Sequence, residues 1–208
     1  MTVLVGSDGR PRCAWAGIQA DEQYQAYHDQ EWGRPVSSER DLFERLSLEA
    51  FQSGLSWITI LRKRESFRSA FANFEPAVVA TFGDGDVQRL MADAGIVRNL
   101  MKINATIGNA KALLALPDGL TLTGVVHAHA PLVPRAPGVE IPAKTAESAA
   151  LAKELKKLGF AFVGPTTAYA MMQAIGLVND HDEQCWVAQS LAAGAASAPA
   201  GAAPTGEA

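Results

Sequence analysis

The chain has 208 residues, 48% of them hydrophobic and 19% charged, which is enough apolar material for a packed core and excludes a mostly disordered chain. Eighteen Lys and Arg against 22 Asp and Glu leave a net charge of −4. That excludes a strongly basic nucleic-acid coat, but not a protein that grips phosphate through backbone N–H groups. No apolar run reaches the roughly 18 residues of a membrane span. The first twelve residues lack the charged-then-apolar layout of a secretory signal, so a cytoplasmic protein with no membrane partner is expected.

In chain order the pattern is helical, and no convincing series of alternating strands emerges. Asp21 to Trp32 reads as a short helix stopped by Gly33-Arg34-Pro35. Ser38 is the expected N-cap of a helix with Glu39 and Asp41 in its first turn, where the dipole favours carboxylates. Leu42, Phe43, Leu46 and Ala50 line one stripe of that helix and Leu48 and Phe51 the other side, which predicts burial nearly all round. Gly54 ends it. Further helices are expected over Ser56 to Phe71, from Pro76 as a first-turn proline, over Val87 to Ala94 after Asp84-Gly85-Asp86, and over Lys102 to Leu116. Five of the eleven prolines fall between Pro117 and Pro142, which predicts an extended excursion over the surface. Helix resumes after Thr145, stops at Gly159, and restarts at Gly164-Pro165 to run to about Ile175. Residues 1–11 are expected as a flexible lead, 12–187 as the folded domain, and 188–208, with ten Ala, three Gly and two Pro, as a disordered tail.

Four features bear on chemistry. Between two helices, Gly159-Phe160-Ala161-Phe162-Val163-Gly164-Pro165-Thr166-Thr167 places Gly164 and the hydroxyls of Thr166 and Thr167 at a helix N-terminus, whose unpaired N–H groups suit a phosphate. Such a helix-hairpin-helix element would hold a DNA backbone, but an ordinary αα-hairpin reads equally well. Cys13, His28, His181 and Cys185 offer two thiols and two imidazoles, the donor set of a closed structural zinc site. His181 and Cys185 would share one face if they lie on a helix. Plain burial of each is the commoner fate, and the spacing matches no standard finger. Trp15, Trp32, Trp57, Tyr24 and Tyr27 concentrate aromatic faces near the N-terminus, either as a core or as a pocket for a flat cation. Glu49 sits in the helix expected to be buried, where an unpartnered carboxylate is costly. It either reaches solvent, pairs with a cation, or awaits a ligand's N–H.

The order of blocks is more telling than any one of them. Arg12-Cys13-Ala14-Trp15, Tyr27-His28-Asp29-Gln30-Glu31-Trp32-Gly33, Leu48-Glu49 through Gly54-Leu55-Ser56-Trp57-Ile58, Asp93 to Arg98, Lys102-Ile103 through Ile107-Gly108-Asn109-Ala110, and Gly176-Leu177-Val178-Asn179-Asp180-His181 succeed one another across the domain. In this the sequence resembles the bacterial DNA-3-methyladenine glycosylase I family from about Arg12 to Trp186. The resemblance implies an all-α helix-hairpin-helix glycosylase fold with zinc on Cys13, His28, His181 and Cys185 joining the chain ends. It implies Glu49 as the base-recognising catalytic carboxylate, Tyr27, Trp57, Trp32 and Trp15 as walls of the base pocket, and Leu55, beside Gly54, as the wedge where a base leaves the duplex. Its implied partner is double-stranded DNA containing 3-methyladenine, bound by a monomer. The family lacks the catalytic Asp that most helix-hairpin-helix glycosylases carry after the hairpin, and Asp180 is not assigned that role. The rival expectations are a non-enzymatic, zinc-stabilised binder of damaged DNA and a small-molecule zinc hydrolase. Few cations (Arg62-Lys63-Arg64, Arg68, Lys102) are on offer for phosphate, which predicts a modest salt dependence.

Overall fold

The structure, a computed structural model, describes residues 3–36, 38–133, 135 and 140–197. Strands β1 (Val3–Val5) and β2 (Pro11–Cys13) form an antiparallel hairpin with Val3 opposite Cys13. The rest is helical: α1 (Glu22–Gln30), α2 (Glu39–Gln52), α3 (Trp57–Ala70), a 3-10 turn (Ala72–Phe74), α4 (Pro76–Val79) and α5 (Asp84–Ala92). Then follow α6 (Leu100–Leu114), α7 (Leu122–His127), α8 (Ala146–Lys157), α9 (Pro165–Ala174) and α10 (Trp186–Ser197). Among the described residues no helix is long and apolar enough to cross a membrane.

Local chemistry sets the helix starts. The Asp21 carboxylate accepts from the Tyr24 N–H, the Ser38 hydroxyl from Asp41, and Thr145 from Ser148, so each cap satisfies a donor the helix itself leaves unpaired. Packing sets the rest. On α2, Leu42 and Leu46 join a core built with α7, α8, α9 and the hairpin residues Phe160 and Val163. Phe43, Leu48 and Phe51 of the same helix join a second core with α3, α4, α5 and α6. Each fully buried Leu or Phe contributes about 1.5–3 kcal/mol, so a helix that serves two cores is held firmly on both sides. That is why α2 can keep Glu44, Ser47 and Glu49 buried along with its apolar residues.

Several expectations are corrected. The N-terminal segment, for which no strand was expected, pairs as the β1–β2 hairpin and carries Cys13 into the interior. Helix α5 starts at Asp84 rather than Val87, because acidic side chains suit a first turn. The proline-rich stretch is not wholly a surface excursion: α7 lies within it and buries Leu122, Val125 and Val126. The tail is helical as far as Ser197, since alanine has the highest helix propensity and α10 packs Val187 beside Cys13 and Cys185. The remainder of the tail, 198–208, lies outside the described residues. His181 and Cys185 do not share a helix; both precede α10 in irregular backbone.

Candidate functional site

A cavity of about 220 Å³ opens between α1, α2, α3 and α9. Its walls are Trp15, Tyr24, Tyr27, Trp32 and Trp57, with Glu49 and Gln52 from α2, Ile141, and Ala170 and Gln173 from α9. A dry cavity of about 150 Å³ holds a benzene ring, so this one has room for a flat heterocycle of purine size. Tyr27 and Trp57 sit with ring centroids 5.1 Å apart and planes inclined at 40°. Trp15 meets Tyr24 at 5.1 Å and the edge of Trp32 at 4.8 Å. All five aromatics singled out in the sequence therefore surround one hollow, and Glu49 lines it with them.

Glu49 is 5% exposed and its Oε2 has no hydrogen-bond partner. Burial pushes its carboxyl up to about 8, against the opposing pull of the Arg45 guanidinium. The indole Nε1 of Trp57 is also buried without a partner. Buried polar atoms are normally satisfied, so two orphans on one cavity mark it as a place for a polar ligand. The cations nearby are committed elsewhere. Glu31 accepts from Arg45 at 2.7 Å and from Arg64 at 2.6 and 2.9 Å. Burial opposes that carboxylate's charge, yet the two guanidiniums hold it down to about 2.

The thiols and imidazoles form a second cluster against the same aromatic wall. The donor atoms of Cys13, His28 and Cys185 all lie within 4.8 Å of one another, in the interior. Cys185 Sγ stands 3.6 Å from His28 Nε2, close to the edge of about 3.5 Å expected between a sulfur and a nitrogen ligand of tetrahedral zinc. His28 uses Nδ1 toward Asp29 at 2.8 Å, which leaves Nε2 to face the sulfur. His181 packs edge-on to His28 at 5.2 Å; its Nδ1 meets Asn179 at 2.9 Å and its Nε2 is buried without a partner. Burial pushes the His181 imidazole down to about 4, so it stays neutral at pH 7. The Asp182 N–H donates to Cys13 Sγ, and hydrogen bonding from Cys13 and His28 lowers the Cys185 thiol while raising Cys13. Three of the four sequence candidates thus form one buried cluster that could coordinate a metal, and the fourth stands beside it with an unused nitrogen.

The chain can approach this closely because of two glycines. Gly33 (φ +77°) would place a Cβ 2.6 Å from His181 Cε1, and Gly176 (φ +74°) would place one 2.5 Å from the Gly33 carbonyl oxygen. Trp15 meets His28 at 4.8 Å and Trp32 meets His181 at 4.4 Å, so the cluster props the cavity wall from behind.

The hairpin between α8 and α9 lies at Leu158–Gly164, with Gly164 as N-cap of α9. Glycine offers no side-chain cap and Pro165 has no N–H, so the other first-turn amides, with exposed Thr166 and half-buried Thr167, remain for a ligand. Asn109 of α6 falls in a block that carries the family resemblance but has no role assigned from sequence; it is 1% exposed and clamps Ala161 through both amide atoms, at 3.1 and 2.7 Å. Leu55 is 43% exposed beyond Gly54 (φ +84°) in the α2–α3 turn. Lys102 does not reach out for phosphate as expected. It is 6% exposed and donates to the carbonyls of Phe51 and Ser53, fixing that turn. Arg62 pairs with Asp21, Arg64 with Glu31, and Arg68 with Glu44 and Glu65, while Lys63 caps the carbonyls of Ala94 and Gly95. Gln52, Ile141, Ala170 and Gln173 were missed as cavity residues because only the packing of α9 on α2 brings them there.

Comparison with known proteins agrees with this arrangement. The family model for methyladenine glycosylase matches residues 15–189. DNA-3-methyladenine glycosylase 1 of Escherichia coli (strain K12) is 49% identical over 179 residues, which is 84% of this chain and 95% of that protein. A crystal structure of 3-methyladenine DNA glycosylase I superimposes with a TM-score of 0.79 at 46% identity, over 84% of this chain and 98% of the other. The Staphylococcus aureus enzyme, solved to explain its recognition of 3-methyladenine, gives a TM-score of 0.75 at 32% identity over 80% and 92%. With an all-α fold, a hairpin before α9 and a buried cysteine–histidine cluster joining its two ends, the chain belongs to the methyladenine glycosylase family.

Proposed function

We propose that this chain is a base-excision repair glycosylase, a hydrolase that extrudes 3-methyladenine from duplex DNA and cleaves its N-glycosidic bond to leave an abasic site. The observation that carries this reading is the unpartnered Glu49 Oε2 in an aromatic-walled cavity of purine size. N3-alkylation makes the adenine ring cationic in DNA and its bond to the sugar labile. Such a ring leaves as a neutral base, so no strong general acid is needed. Tyr27 and Trp57, with Trp32 and Trp15 behind them, favour a flat cation over neutral adenine through their ring quadrupoles. Glu49 accepts hydrogen bonds from the base edge. The cation's arrival favours the ionised carboxylate, so the buried acid gives up its proton to solvent as the lesion enters. As the C1′–N9 bond breaks and the neutral base leaves, water adds to the oxocarbenium-like sugar, whose charge the flanking phosphates stabilise, and the added water's surplus proton passes to solvent.

Extrusion costs a few kcal/mol, less for a lesion that pairs poorly. Leu55 would fill the gap, with Gly54 giving the turn its left-handed backbone. Gly164, Thr166 and Thr167 would hold a phosphate at the start of α9. The donor set of Cys13, His28, Cys185 and His181 fits zinc, and four protein ligands leave no open position for a catalytic water. When bound there, zinc would supply structural cross-linking between β2, α1 and the segment before α10. A monomer acting on double-stranded DNA in the cytoplasm completes the reading.

The test is incubation of methylated duplex DNA with the protein and chromatographic identification of the released bases. Free 3-methyladenine and a matching count of abasic sites support the proposal. Tight binding of the lesion with no base released would replace it with a non-enzymatic damage binder.

A further inference from the structure

Gln173 and Asp180 form a unit that neither the aromatic wall nor Glu49 accounts for. The Asp180 side chain is fully buried. It accepts from Arg135 Nε at 2.7 Å through Oδ1, and from Tyr169 Oη at 2.6 Å and Gln173 Nε2 at 2.8 Å through Oδ2. A carboxylate paired with arginine only accepts hydrogen bonds. It therefore fixes which way the Gln173 amide points, because the swapped orientation would set the amide oxygen against carboxylate oxygen. With Nε2 held on Asp180, the Gln173 carbonyl oxygen lies on the opposite branch of the amide and accepts no hydrogen bond among the described residues, so it is an acceptor available to the cavity that Gln173 lines.

We propose that Gln173 is a specificity-determining residue: an acceptor, held in register by Asp180, that selects a purine bearing an exocyclic amine and rejects one bearing a carbonyl at the same ring position. This inference rests on the base-excision reading above. Glu49 on α2 and Gln173 on α9 then offer acceptors from two helices packed against each other. An adenine-type lesion answers with the hydrogens of its amino group. A guanine-type lesion brings its O6 lone pairs against an oxygen that cannot turn away, and a buried acceptor left facing another acceptor is costly. Asp180 is a positioning residue here. It touches no base and acts only by denying the amide its other orientation.

The experiment uses duplex DNA methylated so that it contains both 3-methyladenine and 3-methylguanine, and reads the ratio of the two released bases. Gln173→Met keeps the side chain's length without its acceptor and is expected to lower the ratio at least about fivefold. Asp180→Asn should turn its amide nitrogen toward Gln173, because Arg135 retains the oxygen. The glutamine then swings its own nitrogen into the cavity, and release of 3-methylguanine rises in absolute terms. A merely structural role would slow both bases together and leave the ratio where it was. Metal content and thermal melting of each variant check folding, and should Gln173→Met fail to fold, Asp180→Asn decides alone. A wild-type ratio in the folded variants overturns the proposal. If the wild-type chain releases neither base, the enzymatic reading fails by itself, and the ratio of Kd values for the two free bases, measured on the same proteins, decides the role of Gln173.

Discussion

Asp29 lies 2.8 Å from Nδ1 of His28 and gathers three more donors around itself: Arg12 from β2 at 2.7–3.0 Å, and the Trp186 indole of α10 at 3.3 Å. One carboxylate thus ties the N-terminal hairpin, α1 and α10 together while fixing the imidazole tautomer that points Nε2 at Cys185. Such an orienting partner typically contributes 10–100-fold in metal affinity. Asp29→Ala is expected to weaken zinc retention by that order, read by competition with a chromophoric chelator. An unchanged affinity would mean that packing alone orients His28.

Gly33 makes a sharper claim on the same region. Any Cβ there collides with the His181 ring, and the residue's φ of +77° disfavours L side chains in addition. Gly33→Ala is expected to lower the thermal midpoint by several degrees and to displace His181 from the cluster. Cobalt substitution checks the latter: with His181 as the fourth ligand proposed above, its loss would alter the visible spectrum of the bound ion. Because Trp32 packs on His181, the cavity wall should loosen with it, raising the Kd for free 3-methyladenine.

The Glu49 carboxyl gives a pH signature with a defined sign. Its ordinary value is 4.5, and burial raises it to about 8 in the folded chain. The native state therefore binds this proton more tightly than the unfolded state. The resulting stability is complete below about pH 4.5 and is lost as pH rises toward 8. Glu49→Gln cannot ionise, so its melting temperature should gain on wild type progressively from pH 5 to 8 and then hold that gain. Activity should run the other way. Wild-type kcat/KM is expected to climb to about pH 8 and level off, while Glu49→Gln is at least about tenfold slower and flat. Parallel pH profiles in the two proteins would remove Glu49 from base recognition.

How far the sequence discloses this site depends on which force decides each feature. Helix α2 is readable because Leu42 and Leu46 on one side and Phe43, Leu48 and Phe51 on another put apolar side chains on more than one face, and the two cores confirm why. The Asp21, Ser38 and Thr145 caps are readable because capping is local chemistry. Helix α7 is not, since Gly124 and two β-branched valines have poor helix propensity and only the core around Leu122, Val125 and Val126 stabilises it. The cavity aromatics share a stretch of sequence and stand out by composition. Gln173 and Asn109 do not stand out, because each is an ordinary polar residue until tertiary packing sets it against Asp180 or Ala161. The cations show the same limit: their number is plain in the sequence, but their partners Asp21, Glu31, Glu44 and Glu65 are not.

Those pairings bear on DNA affinity. With Arg62, Arg64, Arg68 and Lys102 engaged within the protein, the exposed cations nearest the hairpin are Lys153, Lys156 and Lys157 of α8, and on the proposed reading neutral amides at the start of α9 would take the rest of the grip. The slope of log K against log salt is expected to be shallower than about −3, which corresponds to roughly three neutralised phosphates. A slope near −8, measured by fluorescence anisotropy on undamaged duplex, would show that these pairs open when DNA binds.

A change at Asn109 tests whether the proposed backbone grip is separable from base recognition. Its amide bonds both the N–H and the carbonyl of Ala161, and the neighbouring Phe162 holds a φ of +57°, uncommon for any residue but glycine. Without the clamp, water can satisfy exposed Ala161, so the loss in stability should be only about 1 kcal/mol. The hairpin, however, loses its anchor to α6 and need not hold the start of α9 in position. Asn109→Ala is therefore expected to weaken binding to undamaged duplex several-fold while leaving the Kd for free 3-methyladenine within about twofold, because no atom of Asn109 lines the cavity. Equal losses in both measurements would mean that the hairpin and the cavity are coupled through α9, and that the duplex-holding and base-holding parts of the molecule do not act separately.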